Sequence, residues 1–228
     1  MGALDDGDGH AREPSDDAPC HHTPGLDPEK KTLGAAERDA QQRQVLRDQL
    51  TTRTAADVVI VDERGTNLNL TPRYARAPRG QRAYGQVPRT TPPTTTVIAA
   101  LTTTGMGPAM TLRGATDTAA FAIYVTHFLP PSLRPGHIVV MDNLSAQKNR
   151  RVRAIITARG CERWYLPSYS PHVSPIEEAF SKLNELLRRA KARTHEALEN
   201  AIALALDQIT AADARGYFTH CGYQLDAS

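Results

Sequence analysis

A chain of 228 residues, 40% hydrophobic, with 27 Lys and Arg against 25 Asp and Glu for a net charge of +2, has the length for one sizeable core plus a tail and not for two complete domains. No apolar run approaches the roughly 18 residues of a membrane span, and the N-terminus, rich in Asp, His and Pro, lacks the basic-then-apolar order of a secretory signal, so a cytoplasmic protein with no membrane partner is expected. Cys20, Cys161 and Cys221 are odd in number and far apart. That spacing suggests neither a disulfide framework nor a zinc site, and Cys20-His21-His22 reads at most as a stray metal binder.

In chain order, residues 1–30 are polar, Pro- and Asp-rich and without periodicity, which predicts a disordered acidic leader. Asp5, Asp6, Asp8, Glu13, Asp16 and Asp17 stand there against Arg12 alone. Residues 31–55 read as a linker with a polar helix over 35–50, and residues 56–223 as one domain with a short tail, 224–228. DVVIVD, residues 57–62, is a continuous apolar strand signal stopped by acids. Between Glu63 and Asp117 there is no acidic residue, while Arg64, Arg73, Arg76, Arg79, Arg82, Arg89 and Arg113 occur with Tyr74 and Tyr84 among them. Guanidinium groups beside tyrosines suit a polyanion, although a basic stretch also fits an ordinary solvated loop. Two further strands are expected at 95–103 and 108–113, and three strands joined by turns suggest an antiparallel meander.

Asp117 caps an expected helix with Phe121, Tyr124, Val125 and Phe128 at helical spacing, stopped by Pro130-Pro131. HIVVMDN (137–143) then reads as a buried strand, Lys148 to Arg159 as a helix, and RWYLP (163–167) as a short strand. Helices are predicted over 174–192, with Ile176, Ala179, Phe180, Leu183, Leu186, Leu187 and Ala190 on one stripe, and over 195–210. The order of three strands, helix, strand, helix, strand and two helices packs economically as an α/β mixed sheet flanked by helices. This is the element order of a ribonuclease H-like fold.

Three acids stand where chemistry can use them: Asp62 ending the first strand, Asp142 ending the fourth, and Glu177 opening a later helix. If those strands are neighbours, two carboxylates meet and the helix can bring a third. Such a set suffices for two divalent ions about 3.5 to 4 Å apart, the arrangement for in-line attack on a phosphodiester, and hard oxygen donors favour magnesium or manganese. Each acid also has a local reading. Asp62 and Glu63 can begin a polar turn, Asp142 can cap the next helix with Asn143 or Ser145, and Ser174-Pro175-Ile176-Glu177 has capping-box spacing with proline at the first helical position.

VVIVDERGTNLNLTPRYARAPRGQR, IVVMDNLSAQK and YLPSYSPHVSPIEEAFSKLN resemble, in that order, three blocks of bacterial insertion-sequence transposases of the mariner-like DDE superfamily, the insertion-sequence family numbered 630. The likeness runs from about Lys30 to Tyr223, and the 34 residues between Asp142 and Glu177 match the family interval. It implies a DDE catalytic domain with Asp62, Asp142 and Glu177 as the metal-binding triad and Glu177 rather than Glu178 as its third member. It implies two Mg2+ or Mn2+ ions, hydrolytic cleavage at element ends, and attack of the freed 3′-hydroxyl on target DNA. On this reading Arg73, Arg76, Arg79, Arg82 and Lys148 hold backbone phosphates and Asn143 supports the site. The partners are DNA and further copies of the chain in a homodimer or synaptic assembly, at the bacterial nucleoid. Two positions depart from the family: His172 replaces a usual aspartate and Gln147 a usual histidine. Residues 1–30 do not resemble a helix-turn-helix reader, so a non-catalytic remnant that binds DNA weakly or inhibits a full-length transposase is the rival expectation.

Overall fold

The computed structural model describes residues 40–86, 92–143, 150–167 and 171–225, all within one compact unit. At its centre is a five-stranded sheet of order β3-β2-β1-β4-β5. The strands are β1 (Val58–Thr66), β2 (Thr95–Thr102), β3 (Gly105–Arg113), β4 (Ile138–Met141) and β5 (Glu162–Tyr165). β1, β2 and β3 form the expected antiparallel meander, whereas β4 runs parallel to β1 and β5 parallel to β4. Parallel pairing requires a crossover, and the helical segments α2 (Thr118–Ile123) and α3 (Arg150–Ala158) provide one before β4 and one before β5.

The pleat sorts the strand side chains between two cores. Val58 and Ile60 of β1, with Ile138 and Val140 of β4, join the core beneath α1 (Ala40–Thr51), α4 (Pro175–Ala190), α5 (His195–Asp207) and α6 (Ala211–His220). Val59, Val61, Val139 and Met141 join the opposite core, beneath α2 and α3. All eight side chains are buried, which is why β1 and β4 read as unbroken Val and Ile runs rather than alternating ones.

β1 continues past the apolar run to Thr66, four residues beyond the expected end, because β2 supplies an antiparallel ladder from Asp62↔Ala99 to Thr66↔Thr95. At the β2–β3 turn, Gly105 adopts φ +124°, and a Cβ there would lie 3.2 Å from the Ile209 carbonyl oxygen. Only glycine fits both demands. Asp117 caps α2 as expected, its Oδ1 accepting from the Ala120 amide at 2.7 Å, but the helix passes into a π-helical turn, Tyr124–Phe128, before the prolines. α6 is an addition to the expected elements. Ser145, Gln147 and Lys148 lie outside the described residues, as does the whole leader.

Candidate active site

Strand register brings the two aspartates together. Val61 of β1 is paired with Met141 of β4, so Asp62 and Asp142 follow at the same level of adjacent parallel strands. Pleat parity extends the series Val58, Ile60 to Asp62 and the series Ile138, Val140 to Asp142, which places both on the face covered by α4. Each carboxylate accepts from the next backbone amide: Asp62 Oδ1 from Glu63 at 2.7 Å and Asp142 Oδ1 from Asn143 at 2.6 Å.

Glu177 comes to the same place from α4, which packs on β1. Its carboxylate lies 3.7 Å from the guanidinium of Arg64, a β1 residue on the same face as Asp62. The Asp62 carboxyl is pushed up to about 7, chiefly by burial; the Glu63 amide opposes this, and the negative charges of Glu177, Glu63 and Asp142 add to it. Glu177 and Asp142 are thus both close enough to act on Asp62. A site made of oxygen donors with crowded negative charge fits a hard divalent cation, since such an ion relieves the repulsion and accepts carboxylates without needing nitrogen or sulfur. Arg64 stood in the basic stretch of the sequence but was not assigned to the site, because its place on β1 two residues after Asp62 follows only from pairing with β2.

The capping box anticipated at Ser174 does not form. Ser174 is the N-cap of α4 and makes no side-chain cap bond; its hydroxyl is buried without a hydrogen-bond partner. Glu177 is thus free of the local tie its sequence context offered. Glu178, on the adjacent spoke of the helix, turns instead to His220 at the end of α6. His172 is exposed in the short 3-10 turn Pro171–Val173 just before α4.

The basic stretch leaves β1 as an exposed coil. Arg188 donates to the Thr71 carbonyl at 3.2 Å, and Arg193 to those of Leu68 and Leu70 at 2.9 and 3.1 Å. These bonds tie the root of the stretch to the C-terminal end of α4, while Glu177 sits at its N-terminal end. Arg73, Arg76, Arg79 and Arg82 follow, all exposed. Tyr74 and Tyr84 are 90% and 91% exposed, so neither ring packs into the fold.

Residues 57–199, from the start of β1 into α5, match the family described as DDE superfamily endonuclease. The chain belongs to this family. Its fold is that of mariner transposase catalytic domains: a Mos1 transposase paired-end complex with the left transposon end aligns with TM-score 0.66 at 15% identity, over 86% of this chain and 63% of that one. The Mos1 strand transfer complex gives 0.63 at 15% identity, over 86% and 62%, and the catalytic domain of Mos1 mariner transposase 0.55 at 13%, over 80% and 91%. The chain therefore spans a little under two thirds of the Mos1 chains in those complexes. A comparison with curated protein sequences finds no match. Among the described residues no helix is long and apolar enough to cross a membrane.

Proposed function

We propose that this chain is the catalytic domain of a DNA transposase that cleaves phosphodiesters at transposon ends and joins the freed 3′-hydroxyl to target DNA. The observation that supports the reading is the pairing of Val61 with Met141, which sets Asp62 and Asp142 at one level of adjacent strands, together with the Glu177 and Asp142 charges that act on Asp62 and help push it up to about 7. Asp62, Asp142 and Glu177 would hold two Mg2+ or Mn2+ ions. When bound, these supply activation of the attacking oxygen and charge stabilisation at the leaving oxygen. The protein's own groups bind and orient. The Glu63 and Asn143 amides fix the aspartates, Arg64 steadies Glu177, and the Asp62 carboxyl would give up its proton on binding cations. In cleavage, water attacks phosphorus and a strand 3′-oxygen leaves; in joining, that 3′-hydroxyl attacks a target phosphate and displaces another 3′-oxygen. Neither step requires a bond to the protein.

Arg73, Arg76, Arg79, Arg82 and Lys148 hold backbone phosphates in this scheme, with Tyr74 and Tyr84 available to stack. The assembly is a pair or larger synapse of chains on two ends, consistent with the paired-end form of the Mos1 structures, and its setting is the bacterial nucleoid. Strand transfer from pre-cleaved ends is the direct test: joining in Mg2+, abolished by chelation and by Asp142→Asn, is expected. Weak DNA binding with no joining under those conditions would instead support the non-catalytic remnant. The arginine role is tested by salt titration of matched and scrambled duplexes. The five contacts, Lys148 included, predict a slope of log affinity on log salt of about −4.5 with little sequence preference, and Arg76→Gln with Arg79→Gln should reduce its magnitude by about 2.

A further inference from the structure

Among the described residues, one cluster outside the carboxylate site joins three different donor types. The Glu178 carboxylate, the His220 imidazole and the Cys221 thiol have ligand atoms that all lie within 4.8 Å of one another. They come from the first turn of α4 and the last turn and C-cap of α6, 43 positions apart in sequence at the widest, so no short motif announced them. We propose that Glu178, His220 and Cys221 form a second metal site, for zinc or a similar borderline-soft divalent cation, which clasps the end of α6 to the turn of α4 that bears Glu177.

The donor set selects this chemistry. Thiolate and imidazole together disfavour magnesium and manganese and suit zinc, with water in the fourth position of a tetrahedron. Zinc bonds of about 2.0 to 2.3 Å put ligand atoms about 3.3 to 3.8 Å apart, so the hydrogen-bonded His220 Nδ1 and Glu178 Oε1 must move apart to admit the ion, and any pair near the 4.8 Å limit must close by about 1 to 1.5 Å. The His220 side chain is 78% exposed and is not held by packing, so it can make that movement. The hydrogen bond between His220 Nδ1 and Glu178 Oε1 already sets the orientation of two donors, and the buried thiol of Cys221 is the third that this bond does not use. Coordination expels the thiol proton to solvent, and the metal takes the place of the proton between His220 Nδ1 and Glu178 Oε1, a proton that passes to Nε2 or to solvent. None of the three residues belongs to the proposed Asp62, Asp142 and Glu177 set, so the site stands or falls independently of catalysis.

The test is Co2+ titration of the reduced, tag-free full chain, followed by displacement with Zn2+. One equivalent of Co2+ should produce a thiolate-to-cobalt charge-transfer band and tetrahedral visible bands, and Zn2+ should erase them and raise the thermal midpoint by several degrees. Cys221→Ser should remove the charge-transfer band, and His220→Gln, at an exposed position that leaves folding intact, should weaken binding by more than about tenfold. Asp142→Asn should keep the band, which separates this site from the carboxylate one. A chain without a charge-transfer band at one equivalent overturns the proposal, as does a band that survives Cys221→Ser and disappears in Cys20→Ser, or one unaffected by His220→Gln.

Discussion

The first turns of α4 and α6 begin with the same local instruction and end in opposite states. Each has a hydroxyl residue at the N-cap and an acid three residues on: Ser174 with Glu177, and Thr210 with Asp213. In α6 the instruction is obeyed. Thr210 Oγ1 accepts from the Asp213 amide at 3.2 Å, while Asp213 Oδ2 accepts from the Thr210 amide at 2.8 Å, from its hydroxyl at 2.7 Å and from Lys182 at 2.7 Å. These donors, Lys182 first, hold the Asp213 carboxyl down at about 2. In α4 the serine hydroxyl is buried and unpaired, and the glutamate faces Arg64 and helps push Asp62 up to about 7. What differs is the surface beneath each turn. Beneath α4 lie two parallel strands, with Asp62 within β1 and Asp142 just past the end of β4; beside Asp213 lies Lys182. A capped acid is satisfied and chemically idle, whereas an uncapped one among like charges is suited to a cation.

The sharpest way to break this contrast is to neutralise one acid of each kind. Asp62→Asn, Asp142→Asn or Glu177→Gln should each lower metal-dependent joining by well over about 100-fold, above the range typical for loss of an outer-sphere partner, because each removes a charge from the cation site with little change in volume. Asp213→Asn and Glu178→Gln should leave joining nearly intact. Measured strand transfer decides the matter, and full activity in Asp142→Asn would end the assignment.

A second effect, smaller and opposite in sign at the two turns, appears in metal-free stability against pH. An acid whose folded value lies above its unfolded one costs stability as pH rises from the unfolded value through the folded one. For Asp62 that window runs from 3.8 to about 7. Asp62→Asn should therefore stabilise the metal-free chain at pH 8 by up to a few kcal/mol, roughly, and by little at pH 4. Asp213 works the other way: its contribution is present above its unfolded value of 3.8 and is lost as pH falls through about 2. Thermal midpoints of the two variants across pH 3 to 8, in chelator, should diverge toward neutral pH. A destabilised Asp62→Asn protein at pH 8 would mean that burial and the neighbouring charges do not disfavour the Asp62 carboxylate.

Much of this arrangement was legible in the sequence, for a physical reason. Strands buried on both faces show unbroken Val and Ile runs, so the ends of those runs are conspicuous, and both runs stop at an aspartate. The continuation of β1 through Glu63, Arg64 and Gly65 was not legible, because those residues are strand only by pairing with β2. α6 escaped notice because AADARGYFTH buries only Ala214 and Phe218, too few to set a helical period; its working signal was the Thr210-Asp213 spacing. The same spacing at Ser174 suggested a cap that the fold does not make. Local spacing states what a residue is able to do, and its tertiary neighbours determine which option it takes. Cys221 illustrates the same limit, since widely separated cysteines argued against zinc and only folding brings Glu178 beside His220 and Cys221.

The smallest effect is the most specific to the comparison. Thr210→Ala removes a hydroxyl that both accepts from the Asp213 amide and donates to its carboxylate, and an N-cap of this kind is worth about 1 kcal/mol. Ser174→Ala removes a hydroxyl that is buried without a partner. Its loss relieves an unpaired polar group rather than breaking a bond, so stability should be unchanged or rise by up to about 1 kcal/mol. Denaturant midpoints at constant slope measure both, and the two substitutions differ by nothing but one methyl group in the side chain being trimmed. Equal losses at the two positions would show that Ser174 caps α4 in solution, and would return Glu177 to the role its sequence context first suggested.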